Sequence, residues 1–206
     1  MSALLFSDLH CNNKQLANLS DFVVQHKEIE ALIFAGDVVN MGEPVWFMEK
    51  FIKVIDDLKL PFLWVPGNND FGRAYYKLNA KYKSLEGRVS ELSGKKFTGV
   101  GGSPASWAGQ YEGESMVDKK AIAGSIFVSH VPPPGILVLQ QNDLAVSDSR
   151  KKLADSPLVH ICGHLHSRWG TAFLGKTKVI QLASLETGHY AILDLETLEV
   201  VFERFK

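Results

Sequence analysis

The chain has 206 residues, with 22 Lys+Arg against 23 Asp+Glu and a net charge of −1. Hydrophobic residues make up 46% and charged residues 22%, a balance that excludes a disordered or fibrous protein. The near-neutral charge argues against bulk nucleic-acid binding, and no apolar run reaches the roughly 18 residues that cross a bilayer.

The opening residues MSALLFSDLH carry no basic segment and no small-residue cleavage site, so they read as folded protein rather than export signal. Cys11 and Cys162 are too few for a disulfide framework. A cytoplasmic protein is the expectation. Ala3 to Ser7 reads as a buried strand. Asn12 or Asn13 caps a helix with Leu16, Leu19, Phe22 and Val23 on one face. Ala31 to Ala35 is a second strand, stopped at Gly36-Asp37. Pro44 opens a helix carrying Phe47, Phe51 and Ile55. Residues Pro61 to Val65 form a third strand, stopped at Pro66-Gly67. Short strands alternating with helices predict βαβ units and a parallel sheet.

Residues 73–96 mix Arg73, Lys77, Lys81 and Lys83 with Tyr75, Tyr76 and Tyr82 and read as a solvated helix face. Gly99 to Gly113 reads as a loop, where Trp107 or Tyr111 could stack on a ring. Ser125 to Ser129 is a strand ending at His130. Ser147 or Asp148 caps a short helix to Ala154, and Leu158 to Cys162 is another strand, ending at Gly163-His164. The tail reads as antiparallel strands over 171–174, 177–182, 189–193 and 198–205, with Gly175-Lys176 as a hairpin turn. No linker or repeat divides residues 1–206, which read as one domain.

The strand ends share a chemistry. They deliver Asp8 and His10, then Asp37, then Asn68, Asn69 and Asp70, then His130, then His164 and His166. Ligands of α/β sheets bind beyond the carboxyl ends of the strands. In extended chain, residues i and i+2 point to one side, so Asp8 and His10 converge on one ion, and His164 and His166 on one or two. Mixed His nitrogen and carboxylate or amide oxygen suits Mn, Fe, Zn, Co or Ni. His160 reads as a hydrogen-bonded core residue and His26 as a surface one. His189 is open between a structural role and one beside the ligands.

In this order, Asp8-x-His10, Gly36-Asp37, Gly67-Asn68-x-Asp70, His130 and Gly163-His164-x-His166 resemble the calcineurin-like metallophosphoesterase superfamily. Ser129-His130-Val131-Pro132-Pro133 is similar to its small prokaryotic phosphodiesterase branch. The resemblance implies a four-layer αββα sandwich with two divalent metal ions, Mn favoured, between two mixed sheets. It implies that Asp8, His10 and His166 hold one ion, that Asn68, His130 and His164 hold the other, and that Asp37 bridges them. A bridging hydroxide would attack a phosphoester, nucleotides among the candidates, and Asp70 would orient its neighbours from outside the ligand shell. One departure matters. The family's usual Gly-Asn-His-Asp has Asn69 at its third position here, and Asn cannot transfer a proton near neutral pH. That favours diesters over monoesters. Asn69 and Arg73 are the substrate-contact candidates. The rival readings are a non-catalytic interaction module on the same fold and a phosphomonoesterase or protein phosphatase.

Overall fold

The structure, a computed structural model, describes residues 1–41, 45–102, 119–133, 136–140, 143–146 and 157–205. The first half alternates: β1 (Ser2–Phe6), α1 (Asn13–Gln25), β2 (Ile29–Phe34), α2 (Val45–Leu58), β3 (Phe62–Trp64) and α3 (Gly72–Lys81). The middle follows with β4 (Ser90–Leu92), β5 (Lys95–Val100), α4 (Lys119–Ile122), β6 (Ile126–Ser129), β7 (Ile136–Gln140) and β8 (Asp143–Val146). The tail supplies β9 (Val159–Cys162), β10 (Gly170–Leu174), β11 (Thr177–Gln181), a 3-10 turn at Leu185–Thr187, β12 (His189–Asp194) and β13 (Val200–Arg204).

These strands make two mixed sheets, ordered β13-β12-β1-β2-β3 and β10-β11-β9-β6-β5-β4. Strands β1, β2 and β3 are parallel, as their alternation with helices predicts. The pleat sends successive side chains to opposite faces, and composition differs sharply between the two. Toward the helices, β1 to β3 present Leu4, Phe6, Leu32, Phe34, Phe62 and Trp64, which pack on Leu16 and Leu19 of α1, Phe47 and Phe51 of α2 and Leu78 of α3. Toward the second sheet they present Ala3, Leu5, Ala31 and Ile33, which meet Phe97, Ile126, Val128, Val159, Ile161 and Ile180. Large rings span the gap to a helix, and small aliphatics let two sheets approach. The result is the α/β sandwich of two mixed sheets with flanking helices. Phe127, His160 and Cys162 alternate with the inward residues of the second sheet and are also buried, so that sheet is covered on both faces.

Asn12 caps α1 by accepting from the Gln15 N–H at 3.1 Å. Two ribbons escape the sequence reading. Strands β4 and β5 form a hairpin closed by Ser93 and Gly94, both with positive φ, the backbone a two-residue hairpin turn requires. Strands β7 and β8 pair as a separate antiparallel ribbon. The tail strands are present but not contiguous: β10 and β11 join the second sheet through β9, whereas β12 inserts beside β1 in the first. Pro44, Trp107, Tyr111 and the helix expected to Ala154 lie outside the described residues.

Candidate metal centre

The ends of β1, β2 and β9, which carry polar motifs, turn sharply. Asp8, His10, Asp37 and His164 all have positive φ, between 47° and 68°, a conformation costly for residues with a side chain and concentrated at functional sites. Convergence of Asp8 and His10 therefore comes from left-handed turns rather than the extended alternation the sequence suggested. The turns are held by backbone bonds. Asp8 N donates to Gly36 O, Leu9 N and His10 N to Asp37 O, and Gly163 N to His130 O. Gly67 leaves room that nothing larger could: a Cβ there would run into the Asp37 carboxylate and backbone.

Two groups of side chains result. In the outer one, His10 Nε2 lies 3.1 Å from His166 Nε2. Asp8 Oδ1 faces both, at 3.7 Å and 3.3 Å. In the inner one, His130 Nε2 lies 3.0 Å from Asn68 Oδ1, 3.2 Å from His164 Nδ1 and 3.4 Å from Asp37 Oδ2. Asp37 Oδ2 is also 3.8 Å from His10 Nε2, so this carboxylate faces both groups. The structure thus brings together all seven residues expected as ligands, and His164 and His166 serve opposite groups.

The second nitrogen of two of these rings identifies the tautomer. His130 Nδ1 sits 2.7 Å from the Ala35 carbonyl, which only accepts. His10 Nδ1 sits 2.9 Å from Asn40 Oδ1. Each Nδ1 therefore carries hydrogen in the neutral ring, and each Nε2 turns a lone pair inward. With both rings neutral, as a cation would require, the lone pairs of His10 and His130 would face the oxygens of Asp8, Asp37 and Asn68. Among the described residues, Asp8 Oδ1 is fully buried and accepts no hydrogen bond. A set of acceptors around a buried, unpartnered carboxylate oxygen fits divalent cations. The electrostatics agree. Burial alone would push the Asp8 carboxyl up, yet His10, His166 and His130 hold it well below the usual range. Burial alone would push the His130 imidazole down, yet Asp37 and Asp8 raise it to about 9. The site favours positive charge.

Asp70 lies beneath, fully buried. Its two oxygens accept from the backbone N–H groups of Asp37 (2.7 Å), Val38 (2.9 Å), Val39 (3.3 Å) and Gly67 (3.1 Å). Burial and the facing Asp37 charge push its carboxyl up, and these amide donors pull it back. Asn69 turns inward: its backbone N–H donates to Asp37 Oδ1 and its Nδ2 to Asp37 Oδ2, both at 2.7 Å. Arg73 is exposed on the first turn of α3. It lines an open groove of about 570 Å3 with Val45, Tyr76, Lys77 and Ala80.

The remaining histidines stand apart. His160 is buried, 2.7 Å from Ser129 Oγ, and desolvation pushes its imidazole down to about 3. His26 pairs with Glu28 and stacks on Phe22. His189 lies 2.8 Å from Thr187 Oγ1 and packs at a tilt against Trp169. Sequence reasoning missed Asn40 and Ser184. Asn40 orients His10, 30 residues away in sequence. Ser184 Oγ donates to Asp8 O, and its N–H to His166 O, tying the tail to both ligand loops.

Residues 1–168 match the family described as calcineurin-like phosphoesterase. The fold is similar to that of TT1561 from Thermus thermophilus, at 18% identity over 98% of each chain with a TM-score of 0.74. It is also similar to a protein described as a dimetal phosphatase from Danio rerio, at 12% identity over 100% of this chain and 99% of that one, with a TM-score of 0.62. No curated protein matches the chain. Among the described residues, no helix is long and apolar enough to cross a membrane.

Proposed function

Because the chain belongs to the calcineurin-like phosphoesterase family, metal-dependent hydrolases of phosphoester bonds, we propose that it hydrolyses phosphodiesters at the paired histidine–carboxylate groups. The observation that carries this reading is the convergence of acceptor atoms around the unpartnered Asp8 Oδ1. Asp8, His10 and His166 would hold one cation, Asn68, His130 and His164 the other, and Asp37 would serve both. The nitrogen and oxygen donors, with no thiolate, suit Mn first and Fe, Zn, Ni or Co after it. Bound there, two divalent cations neutralise phosphoryl charge and acidify the attacking water.

The rest falls to the chain's own groups. Asp70 fixes the backbone from Asp37 to Val39 against Gly67. Position 69 decides which esters suit the site. An alkoxide leaving group wants a proton, and general-acid help is worth about 10²–10⁴ in rate. Asn69 has no proton to transfer, so diesters with good leaving groups lose least. Helices α2 and α3 begin just beyond the strand ends that carry Asp37 and Asn68. Lys77 is engaged by Glu49, whereas Arg73 has no ion pair among the described residues. The anionic or planar arm of the substrate, nucleotides among the candidates, would then meet Arg73 and Tyr76 in the groove that they line.

The test is turnover of wild type and Asn69→His with Mn(II), on matched mono- and diesters carrying good and poor leaving groups. We expect wild type to prefer the nitrophenyl diester and Asn69→His to gain most on alkyl monoesters. A wild type fastest on monoesters overturns the diester reading. Absence of turnover on all four at full metal loading favours a binding module on this fold.

A further inference from the structure

We infer that Asn69 is a positioning residue for the carboxylate shared by the two ligand groups, and that its amide acts on Asp37 rather than on substrate. The inference rests on the reading of this site as a metal centre. Its ground is the pair of bonds from one residue: the Asn69 backbone N–H to Asp37 Oδ1 and the Asn69 side-chain Nδ2 to Asp37 Oδ2, each 2.7 Å. One donor on one oxygen would leave the carboxylate free to rotate about its Cβ–Cγ bond. One donor on each oxygen fixes the plane of the group. Gly67 closes the remaining side, because its bare backbone lies against the same carboxylate where no Cβ fits.

The oxygen that receives the side-chain amide is the functional one. Asp37 Oδ2, not Oδ1, faces His130 Nε2 at 3.4 Å and His10 Nε2 at 3.8 Å. The Asn69 amide therefore sets the direction in which Oδ2 presents its lone pairs to the two groups. The half-buried Asn69 reaches this position because it follows Asn68, whose own Oδ1 faces His130. Neighbouring side chains of one tight loop thus serve the site in two ways, one as a direct donor and one by steering the carboxylate opposite. Outer partners of metal ligands are worth about 10–100-fold in metal affinity.

The experiment is calorimetric titration of Mn(II) into chelator-treated wild type, Asn69→Ala and Asn69→Asp. Asn69→Ala keeps the backbone donor. Asn69→Asp keeps the shape but replaces the side-chain donor with an acceptor and a like charge. We expect Mn(II) affinity to fall about 10–100-fold in Asn69→Ala, and further in Asn69→Asp. The melting temperature of the ion-free chains should change little by comparison. At saturating Mn(II), kcat should fall while KM for the diester stays within about twofold, because substrate contacts are untouched. Unchanged Mn(II) affinity in both variants overturns the inference, whatever happens to KM. A wild type that binds no Mn(II) overturns the metal reading itself, and this inference with it.

Discussion

The two candidate ligand groups are built from similar side chains but held by different surroundings. The inner group is walled in: His130 is fully buried, its Nδ1 is tied to a main-chain carbonyl, and Gly36 and Gly67 press bare backbone around it. The outer group is open at His166 alone, above the buried Asp8. The His166 side chain is 45% exposed, and His10 is oriented by a side chain, Asn40, rather than by backbone. A ring oriented by a strand-end carbonyl cannot move without disturbing the sheet. One oriented by a loop amide can. The inner group should therefore hold its ion tightly, and the outer should exchange it.

The largest effect should come from the residue common to both. Asp37→Ala should lower kcat by more than the roughly 100-fold ceiling for outer-shell partners and reduce the metal content of purified protein at both positions. Steady-state kinetics and elemental analysis check this, and loss of a single ion would break the pairing of the groups through Asp37. Next, His130→Ala and His166→Ala should part company. His130→Ala strands the buried Ala35 carbonyl, at a cost of about 1–3 kcal/mol in the ion-free chain. His166→Ala should leave ion-free stability nearly unchanged while weakening one ion. Denaturant melts of the two chelated variants decide it, and equal losses would erase the contrast. Third, Asn40→Ala should weaken only the more exchangeable ion, by about 10–100-fold, as read by Mn(II) titration.

The smallest effect concerns a histidine outside both groups. His160 titrates near 3 in the fold against 6.5 unperturbed. Below pH 6.5 the unfolded chain takes up a proton that the folded chain refuses, so stability falls as pH drops toward 3. The loss is about 1.4 kcal/mol per pH unit. Melts of chelated wild type and His160→Gln between pH 7 and 5 should converge toward acid, and parallel curves would remove His160 from the acid response.

Much of this was legible in the sequence, for physical reasons. Strands β1 to β3 are apolar on both faces because both faces are covered, and all seven candidate ligands follow strand ends where the chain must turn. The hairpin of β4 and β5 was hidden by Lys95 and Lys96, charges tolerated on a partly exposed strand. Asn40 and Ala35 act through contacts 30 and 95 residues away in sequence. No local pattern announces such partners, and a backbone carbonyl has no residue signature at all. Nor could the inward turn of Asn69 be read, since it depends on where Asp37 sits.

The bonds of Ser184 to Asp8 and His166 also have a consequence in time. All seven candidate ligands lie between residues 8 and 166, yet β1 is completed by pairing with β12 at Ala191 to Asp194. Synthesis therefore delivers every ligand before the strand that seats the first of them. At about 5–20 residues per second, the nascent chain carries its histidines and carboxylates unassembled for on the order of a second or more. Pulse proteolysis of ribosome-stalled chains should find the segment around Asp8 protected only once β12 has left the exit tunnel. A hydrolase wired this way comes into existence all at once, when a strand that holds none of its ligands emerges.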